Sequence, residues 1–395
     1  MKFRTTLGTS HPALRALWAE GVTNPSKIET FLETQSFPLS ERGASTFVFH
    51  GDAEGVTLRH WIHGLPGGPP FQRLADTDLW FLVLELPEGS RVEYKVEVTR
   101  NGESHVVKDP LNPLVARDPF GANSVCRAYG YVEPDWGRTH STVPRGTLQE
   151  RTVQSRHLPG RRRWTLYRPA GFQRLRPYPL LIVHDGRDHL RYADLGAVLD
   201  NLIHRGEIPP LIAALIDPGE RLVEYAGSQP HADHLVDELV PRLEREFQLV
   251  PAPEGRVLAG ASLGAVASLH AAVQSPGSFG GLLLQSGSFV YSESGRTPRG
   301  PHVDPVAAFI DGFRSAPSRA AERVFLSCGA YEPLVHENRA MLPVLQNAGM
   351  EIRYVEARDG HNWQSWRNRL QEGLSWLLPN QASSRAGSAA TEEGR

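Results

Sequence analysis

The sequence has little of what metal binding, disulfide formation or membrane insertion would require. It contains two cysteines, Cys126 and Cys328, which lie too far apart for a metal-ligand motif and which we expect to be reduced thiols. The 16 histidines are scattered along the chain, so neither a metal site nor a cofactor is predicted. No apolar run approaches the roughly 18 residues of a membrane span, and the N-terminus lacks the apolar segment of a signal peptide. A cytoplasmic protein is therefore expected.

An excess of charge of either sign is also lacking. The 395 residues include 42 basic and 44 acidic side chains, which gives a net charge of −2. This balance does not favour nucleic acid or an anionic membrane as a partner, so a small molecule is the expected partner. Composition leaves the oligomeric state open. Because 395 residues exceed what one hydrophobic core normally serves, two domains are expected.

Short alternating apolar runs characterise the first third of the chain. After a helical lead-in over residues 1–40, runs such as Ser45–His50 and Leu79–Leu86 are separated by clusters of Gly, Pro and Asp. This pattern is typical of an antiparallel β-sandwich. We predict an immunoglobulin-like sandwich over residues 41–135, followed by a linker over residues 136–150.

From residue 151 to residue 379, apolar strand-like runs alternate with amphipathic helical stretches. Continuous apolar strands such as Pro179–Val183 and Gly281–Gln285 are typical of a mostly parallel sheet with helices on both faces. This alternation predicts an α/β domain. The last residues, 380–395, have no apolar periodicity and are expected to be disordered.

The segment from Arg256 to His270 is the most informative part of the sequence. A short apolar strand runs into Gly260-Ala-Ser-Leu-Gly264, and a helix rich in small residues follows at once. In α/β-hydrolases the nucleophilic serine sits on such a strand-to-helix turn, which requires small neighbours on both sides. We predict Ser262 as the nucleophile of a serine esterase.

A serine hydroxyl is a weak nucleophile and needs a base within hydrogen-bond reach. In this fold the order along the chain is serine, acid, histidine. His361 follows the last predicted strand and is the predicted base, in preference to His270, His302 and His336.

The acid is expected just past the preceding strand, where Glu332 lies. A buried carboxylate at that point would orient the imidazole and stabilise its protonated form. Asp359 is the alternative acid, although it lies very close to His361 in the sequence. A Ser–His dyad without an acid also stays open.

Backbone amides must stabilise the oxyanion that forms during ester hydrolysis. One donor is expected from Leu263, directly after the nucleophile. The second is expected from the loop after the first long core strand, from the amide of Gly186 or Arg187.

Several motifs accompany these residues, namely His184-Asp-Gly186, Arg221-Leu-Val-Glu-Tyr225, Gln285-Ser-Gly-Ser-Phe289, Gly329-Ala-Tyr-Glu-Pro333 and Gly360-His-Asn362. Together with the serine motif they resemble the enterochelin (enterobactin) esterase group of the putative-esterase family, from roughly residue 40 to residue 378. The resemblance implies hydrolysis of ferric catecholate siderophores such as enterobactin, with Ser262 and His361 as nucleophile and base. It also implies substrate contacts from Asp185, Arg187, Arg221, Phe289 and Trp363.

Two other functions stay open on the sequence alone. The same scaffold serves many substrates, so a carboxylesterase for sugar, feruloyl or thiol esters is one alternative. The other is a non-catalytic interaction protein, in which the sandwich would bind a ligand on Trp61 or Trp80. Both tryptophans are more readily explained as core residues.

Overall fold

The computed structural model describes residues 1–294 and 303–380. Within them the chain divides into two compact units. The N-terminal unit comprises Met1–Glu133, Gly329–Pro333 and Ala357–Asn362, and the α/β unit comprises the remaining described residues. His302 and the predicted disordered tail beyond Asn380 lie outside the described residues.

Antiparallel strands in two sheets form the N-terminal unit. One sheet has the order β1-β6-β3-β2, with β5 paired to β6, and the other has the order β4-β7-β10-β9, with β8 paired to β7. The strands are β1 (Phe3–Arg4), β2 (Leu39–Glu41), β3 (Ala44–His50), β4 (Gly55–His60), β5 (Gln72–Arg73), β6 (Leu79–Glu85), β7 (Arg91–Arg100), β8 (Glu103–Val107), β9 (Val115–Asp118) and β10 (Gly121–Arg127).

The two sheets enclose one hydrophobic core. Phe47 and Leu82 of the first sheet belong to the same buried cluster as Leu58 and Tyr94 of the second. The strands that supply these residues therefore turn alternate apolar side chains toward the opposite sheet, as the sequence pattern predicts. The pattern did not reveal β8, β9 and β10. Strand β8 is exposed along its whole length, so it has no apolar face that alternation could mark.

Two helices, α1 (Pro12–Gly21) and α2 (Pro25–Thr34), form the predicted helical lead-in. Each begins with proline at its first position, where no amide hydrogen is needed. Their apolar side chains pack with Val48 and Phe81 from the outer face of the first sheet. Of the two tryptophans considered above, Trp80 is buried and Trp61 is 57% exposed.

The α/β unit is built on one sheet with the order β11-β12-β14-β13-β15-β16-β17-β18. Its strands are β11 (Thr147–Gln154), β12 (Arg161–Arg168), β13 (Leu180–His184), β14 (Ile212–Ile216), β15 (Arg256–Ala261), β16 (Gly281–Gln285), β17 (Arg323–Gly329) and β18 (Glu351–Ala357). Its helices are α3 (Gly186–Tyr192), α4 (Leu195–His204), α5 (Arg221–Glu224), α6 (Gln229–Asp233), α7 (Val240–Glu246), α8 (Leu263–Gln274), α9 (Val303–Ser315), α10 (Val335–Asn347), α11 (Trp363–Arg367) and α12 (Leu370–Leu377).

Strands β13 to β17 are parallel, whereas β11 and β12 form an antiparallel hairpin at one edge. Leu180 and Ile182 of β13 face one core cluster and Leu181 and Val183 face another, so both faces of the sheet are buried. The predicted mixed α/β fold is thus confirmed. The hairpin starts at Thr147, within the segment expected to be a linker. From this residue onward, β11 pairs over its full length with β12.

No helix within the described residues is both long and apolar enough to span a bilayer. Both cysteines are buried as thiols.

Candidate active site

Ser262 lies between β15 and α8 in a strained backbone conformation. Its φ is 58° and its ψ is −121°, a combination that residues with a side chain rarely adopt. The amide of Ser262 donates to the carbonyl of Gln285 at 2.9 Å, and the carbonyl of Ser262 accepts from the amide of Ser288 at 3.2 Å. The strand-to-helix turn is therefore held by the neighbouring strand, which keeps the serine in this conformation.

The space around Gly260 and Gly264, on either side of Ser262, is too tight for a Cβ atom at an ordinary contact distance. A Cβ atom on Gly260 would lie 2.2 Å from the carbonyl oxygen of Gly264, because the first turn of α8 comes back onto β15. A Cβ atom on Gly264 would lie 3.2 Å from the Cβ of His184. The Gly-x-Ser-x-Gly pattern thus reflects two close backbone approaches, as expected for a nucleophile elbow.

His184 ties the elbow to the rest of the α/β unit. Its Nδ1 lies 3.0 Å from the Oγ of Ser268. The hydroxyl of Ser268 donates its hydrogen to the carbonyl of Gly264 at 2.9 Å. The Nε2 of His184 lies 3.0 Å from the Nε2 of His231. Burial lowers the pKa of His184 to about 4, so the imidazole is neutral at pH 7. The side chain therefore acts as a fixed, uncharged support for the turn that carries Ser262.

The two predicted oxyanion donors, Leu263 and Gly186, are each the first residue of a helix, α8 and α3. Amides at that position have no acceptor within their own helix. A Cβ atom on Gly186 would lie 2.4 Å from the backbone of Leu215, so only glycine fits there. The amide of Arg187, the other possible donor, instead donates to Oδ1 of Asp217 at 3.0 Å.

A second serine faces Ser262, and the sequence did not single it out. Ser288 Oγ lies 3.1 Å from Ser262 Oγ. Its loop, which follows β16, is held by Asn338, whose amide group donates to the carbonyl of Gly287 and accepts from its N–H. The indole of Trp366 also donates to Ser286 at 2.9 Å. The only sequence signal was the polar run Gln285-Ser-Gly-Ser288 at the end of a buried strand.

In the N-terminal unit, His361 contacts Glu332. The Nδ1 atom of His361 lies 2.5 Å from Oε2 of Glu332, which is 1% exposed, while the imidazole is 35% exposed. The other carboxylate oxygen of Glu332 accepts from the amide of Gly329 at 2.6 Å. A backbone hydrogen bond thus fixes the carboxylate of Glu332, which contacts the imidazole through Oε2. The contact uses Nδ1 of His361 and not Nε2.

Asp359, the alternative acid, has different partners. Its carboxylate lies 3.1 Å from the guanidinium of Arg91 and accepts from the amide of Gly360 and the side chain of Asn362, both at 2.8 Å. Burial raises the pKa of Asp359, and the charge of Arg91 opposes this shift. Of the two candidate carboxylates, the structure brings Glu332 and not Asp359 into contact with Nδ1 of His361.

Three of the predicted substrate-binding residues line one cavity of about 380 Å³ in the α/β unit. Arg221 forms a two-pronged ion pair with Asp185, with N–O distances of 2.8 and 2.7 Å, and Arg187 lies 3.5 Å from Asp217. Five further charged residues line the cavity, namely Arg161, Arg162, Arg163, Asp188 and Asp217. The cavity is strongly polar, with arginines more numerous than aspartates.

The two aromatic residues of that prediction lie elsewhere. Phe289 is completely buried in the core of the α/β unit, so in this conformation it has no surface to offer a substrate. Trp363 is partly exposed and packs edge-on against His189 and Trp366. Among the described residues, no group of three His, Cys, Asp or Glu side chains is placed to hold a metal ion.

The sequence model of the family described as Putative esterase matches residues 155–377, which is more than half of the chain. The chain belongs to this family. It is 24% identical over 330 residues to an iron(III) enterobactin esterase of Escherichia coli O6:H1, a match that covers 77% of the chain and 80% of that relative.

Solved structures of esterases have the same fold as this family member. The enterobactin esterase of Shigella flexneri, crystallised in the presence of enterobactin, superposes with a TM-score of 0.72 at 22% identity, over 88% of this chain and 97% of that one. A ferulic acid esterase of Anaeromyces mucronatus superposes with a TM-score of 0.51 at 18% identity, over 61% of this chain and 94% of that one. At these identities the likeness establishes an α/β-hydrolase-type esterase fold.

Proposed function

We propose that the protein is a serine esterase in which Ser262 is the nucleophile, His361 the base and Glu332 the acid. The observation that carries the proposal is the backbone of Ser262, which is held at φ 58° in a Gly-x-Ser-x-Gly turn between a strand and a helix. Strain of this kind persists at sites where it serves a function. The contact between His361 and Glu332 supports the assignment of base and acid.

In the proposed reaction, Ser262 Oγ attacks the ester carbonyl carbon while Nε2 of His361 takes the hydroxyl proton. The amides of Leu263 and Gly186 stabilise the resulting oxyanion. The alcohol leaves with the proton from His361, and an acyl-serine remains. Water then attacks the acyl-serine, again with His361 as the base, and the acid product and free serine result. Glu332 keeps the imidazole in one tautomer and stabilises its protonated form.

The proposed substrate is a ferric catecholate siderophore of the enterobactin type, hydrolysed in the cytoplasm so that iron is released. Three catecholate groups carry six negative charges, and Fe³⁺ leaves a net charge of about −3 on such a complex. The polar cavity lined by Arg187, Arg221 and neighbouring arginines suits an anion of this kind. The names of the matched enterobactin esterases point to the same substrate class.

The second candidate is a carboxylesterase for feruloyl esters. It is favoured by the fold match to a ferulic acid esterase. Ferulate esters carry no charge at pH 7, so the arginine-rich cavity would contribute little to their binding. For the N-terminal unit, we propose that the two-sheet sandwich is of the immunoglobulin-like type, which its antiparallel sheets and shared core support.

A substrate panel tests the proposal. Purified wild type, Ser262→Ala and the control Ser275→Ala, at the far end of α8, are assayed on ferric enterobactin, p-nitrophenyl acetate and ethyl ferulate. We expect ferric enterobactin to be converted to linear dihydroxybenzoylserine products, with kcat lowered about 10³-fold or more in Ser262→Ala only. Turnover of ethyl ferulate alone would favour the second candidate. Equal activity of wild type and Ser262→Ala would refute the serine mechanism.

A further inference from the structure

A completely buried arginine lies next to the loop that carries His361. Arg91 is the first residue of β7, and its side chain has no exposed surface. Burial of a guanidinium is costly unless its charge is compensated and its N–H groups have acceptors. Asp359 and Glu93 raise the pKa of Arg91 above its ordinary value against the opposing effect of burial, so the side chain is cationic at every accessible pH.

The contacts of Arg91 lie on both sides of His361. Its amide donates to the carbonyl of Arg358 at 2.9 Å. Its Nη1 donates to Asp359 at 3.1 and 3.3 Å and to Oδ1 of Asn362 at 3.0 Å. Arg91 therefore holds this loop at Arg358, Asp359 and Asn362, which lie on both sides of His361.

Asp359 closes the same loop from within. Its carboxylate accepts from the amide of Gly360 and from the side chain of Asn362, both at 2.8 Å. Arg91 in turn reaches both Asp359 and Asn362, so the three side chains form one hydrogen-bonded network. His361 lies in the same loop, and its imidazole contacts Glu332.

Ser90, the residue directly before β7, secures the loop of Glu332. Ser90 Oγ lies 2.5 Å from the hydroxyl of Tyr331, the residue before Glu332. The amide of Tyr331 donates to the carbonyl of Asp359 at 3.1 Å, and its carbonyl accepts from the amide of His63 at 2.7 Å. Ser90 and Arg91, the last residue before β7 and its first residue, thus hold the two loops whose side chains form the His361–Glu332 pair.

We propose that Arg91 is a positioning residue for ester hydrolysis, which holds the His361 loop in the conformation that aligns the imidazole with Glu332. The inference rests on the proposed function, because it assigns His361 as the base. It adds that a residue of the β-sandwich, outside the segment matched by the esterase family, is needed for full catalytic rate. Displacement of a catalytic group by about 1 Å lowers a rate by up to about 10²-fold.

The test compares Arg91→Met and Arg91→Lys with Arg59→Met, a control that removes a partly exposed, ion-paired arginine of the same sheet. We expect kcat for p-nitrophenyl acetate to fall about 10- to 100-fold in Arg91→Met with KM within about twofold of wild type. Arg91→Lys keeps the charge and should recover part of the loss, while Arg59→Met should retain the wild-type kcat. Because a loss of folded enzyme would also lower the apparent kcat at unchanged KM, kcat is calculated per folded enzyme, with the folded fraction of each variant measured by circular dichroism.

A second readout does not depend on turnover. The proton between Nδ1 of His361 and Glu332 should give a far-downfield ¹H NMR signal, identified by its absence in His361→Ala. We expect this signal to broaden or shift in Arg91→Met and to remain in Arg59→Met. If wild type hydrolyses no ester, the proposed function fails while the NMR comparison still decides whether Arg91 positions the imidazole.

Asn362→Ala covers the case in which Arg91→Met does not fold. It removes one contact of Arg91 without leaving a buried charge unpaired, and a fall in kcat of about threefold or more with an altered NMR signal is expected. A wild-type kcat together with an unchanged signal, in Arg91→Met or in Asn362→Ala, would overturn the proposal.

Discussion

The Nδ1 atom of His361 lies 2.5 Å from the Oε2 atom of Glu332, a carboxylate that is 1% exposed. The second oxygen of Glu332 accepts a hydrogen bond from the amide of Gly329. A buried carboxylate in this arrangement favours the tautomer in which Nδ1 carries the hydrogen and Nε2 the lone pair.

Replacement of the two candidate acids should have unequal effects. Glu332→Gln should lower kcat for p-nitrophenyl acetate by about 10²-fold or more, because a neutral amide does not stabilise the protonated imidazole as the carboxylate does. His361→Ala should lower kcat further, since the base itself is lost. Asp359→Asn should lower kcat less than Glu332→Gln. Steady-state kinetics of the three variants gives the ranking, and a larger loss in Asp359→Asn would make Asp359 the acid.

The elbow glycine should tolerate no side chain. Gly260→Ala should lower the free energy of unfolding by about 3 kcal/mol, because the added Cβ would lie 2.2 Å from the carbonyl oxygen of Gly264. Gly312→Ala is the control, since a Cβ at this exposed position in α9 meets nothing within 4 Å. It should raise stability by up to about 1 kcal/mol. Urea unfolding measures both changes, and wild-type stability of Gly260→Ala would contradict the required close approach.

Buried neutral histidines should make the protein sensitive to acid. Burial lowers the pKa of His189 to about 4, and neither ring nitrogen has a hydrogen-bond partner among the described residues. Its pKa in the unfolded chain is about 6.5. Between pH 6.5 and pH 4 the unfolded state therefore binds more protons, and the free energy of unfolding falls as pH falls.

His189→Leu should remove this contribution. From pH 7.5 to pH 5 the variant should lose about 2 kcal/mol less stability than wild type. The exposed His105 provides the control, and His105→Gln should follow the wild-type curve. Urea unfolding at several pH values measures the difference, and parallel curves for wild type and His189→Leu would exclude His189 as a source of the acid sensitivity.

An anionic substrate should depend on the arginine-lined cavity. Arg187 is 51% exposed there, and Arg187→Gln should raise KM for ferric enterobactin about five- to tenfold, with a smaller change for p-nitrophenyl acetate. The control Arg245→Gln removes an exposed arginine of α7 that does not line the cavity. Steady-state kinetics at low and moderate salt measures the effect, because added salt screens the attraction. An equal rise in KM for both substrates would argue against recognition of charge.

The sequence alone was sufficient for the features that depend on local pattern. The alternation of apolar residues in Ala44–His50 and Leu79–Glu85 reflects strands with one face in a core, and the apolar run Leu180–His184 reflects a strand buried on both faces. The elbow was recognisable because a tight turn between strand and helix permits only glycine at Gly260. Chain order then indicated His361 and Glu332.

The tertiary structure decided which groups meet. Glu332 and Asp359 were both acceptable acids by position, and only the packing of the two loops shows that Glu332 contacts His361 while Asp359 pairs with Arg91. Arg91 lies 268 residues from Asp359 in the chain and has no local pattern that marks it. Such a contact arises from the folding of distant segments against each other. Local propensity and periodicity describe each segment alone, and they contain no information about this pairing.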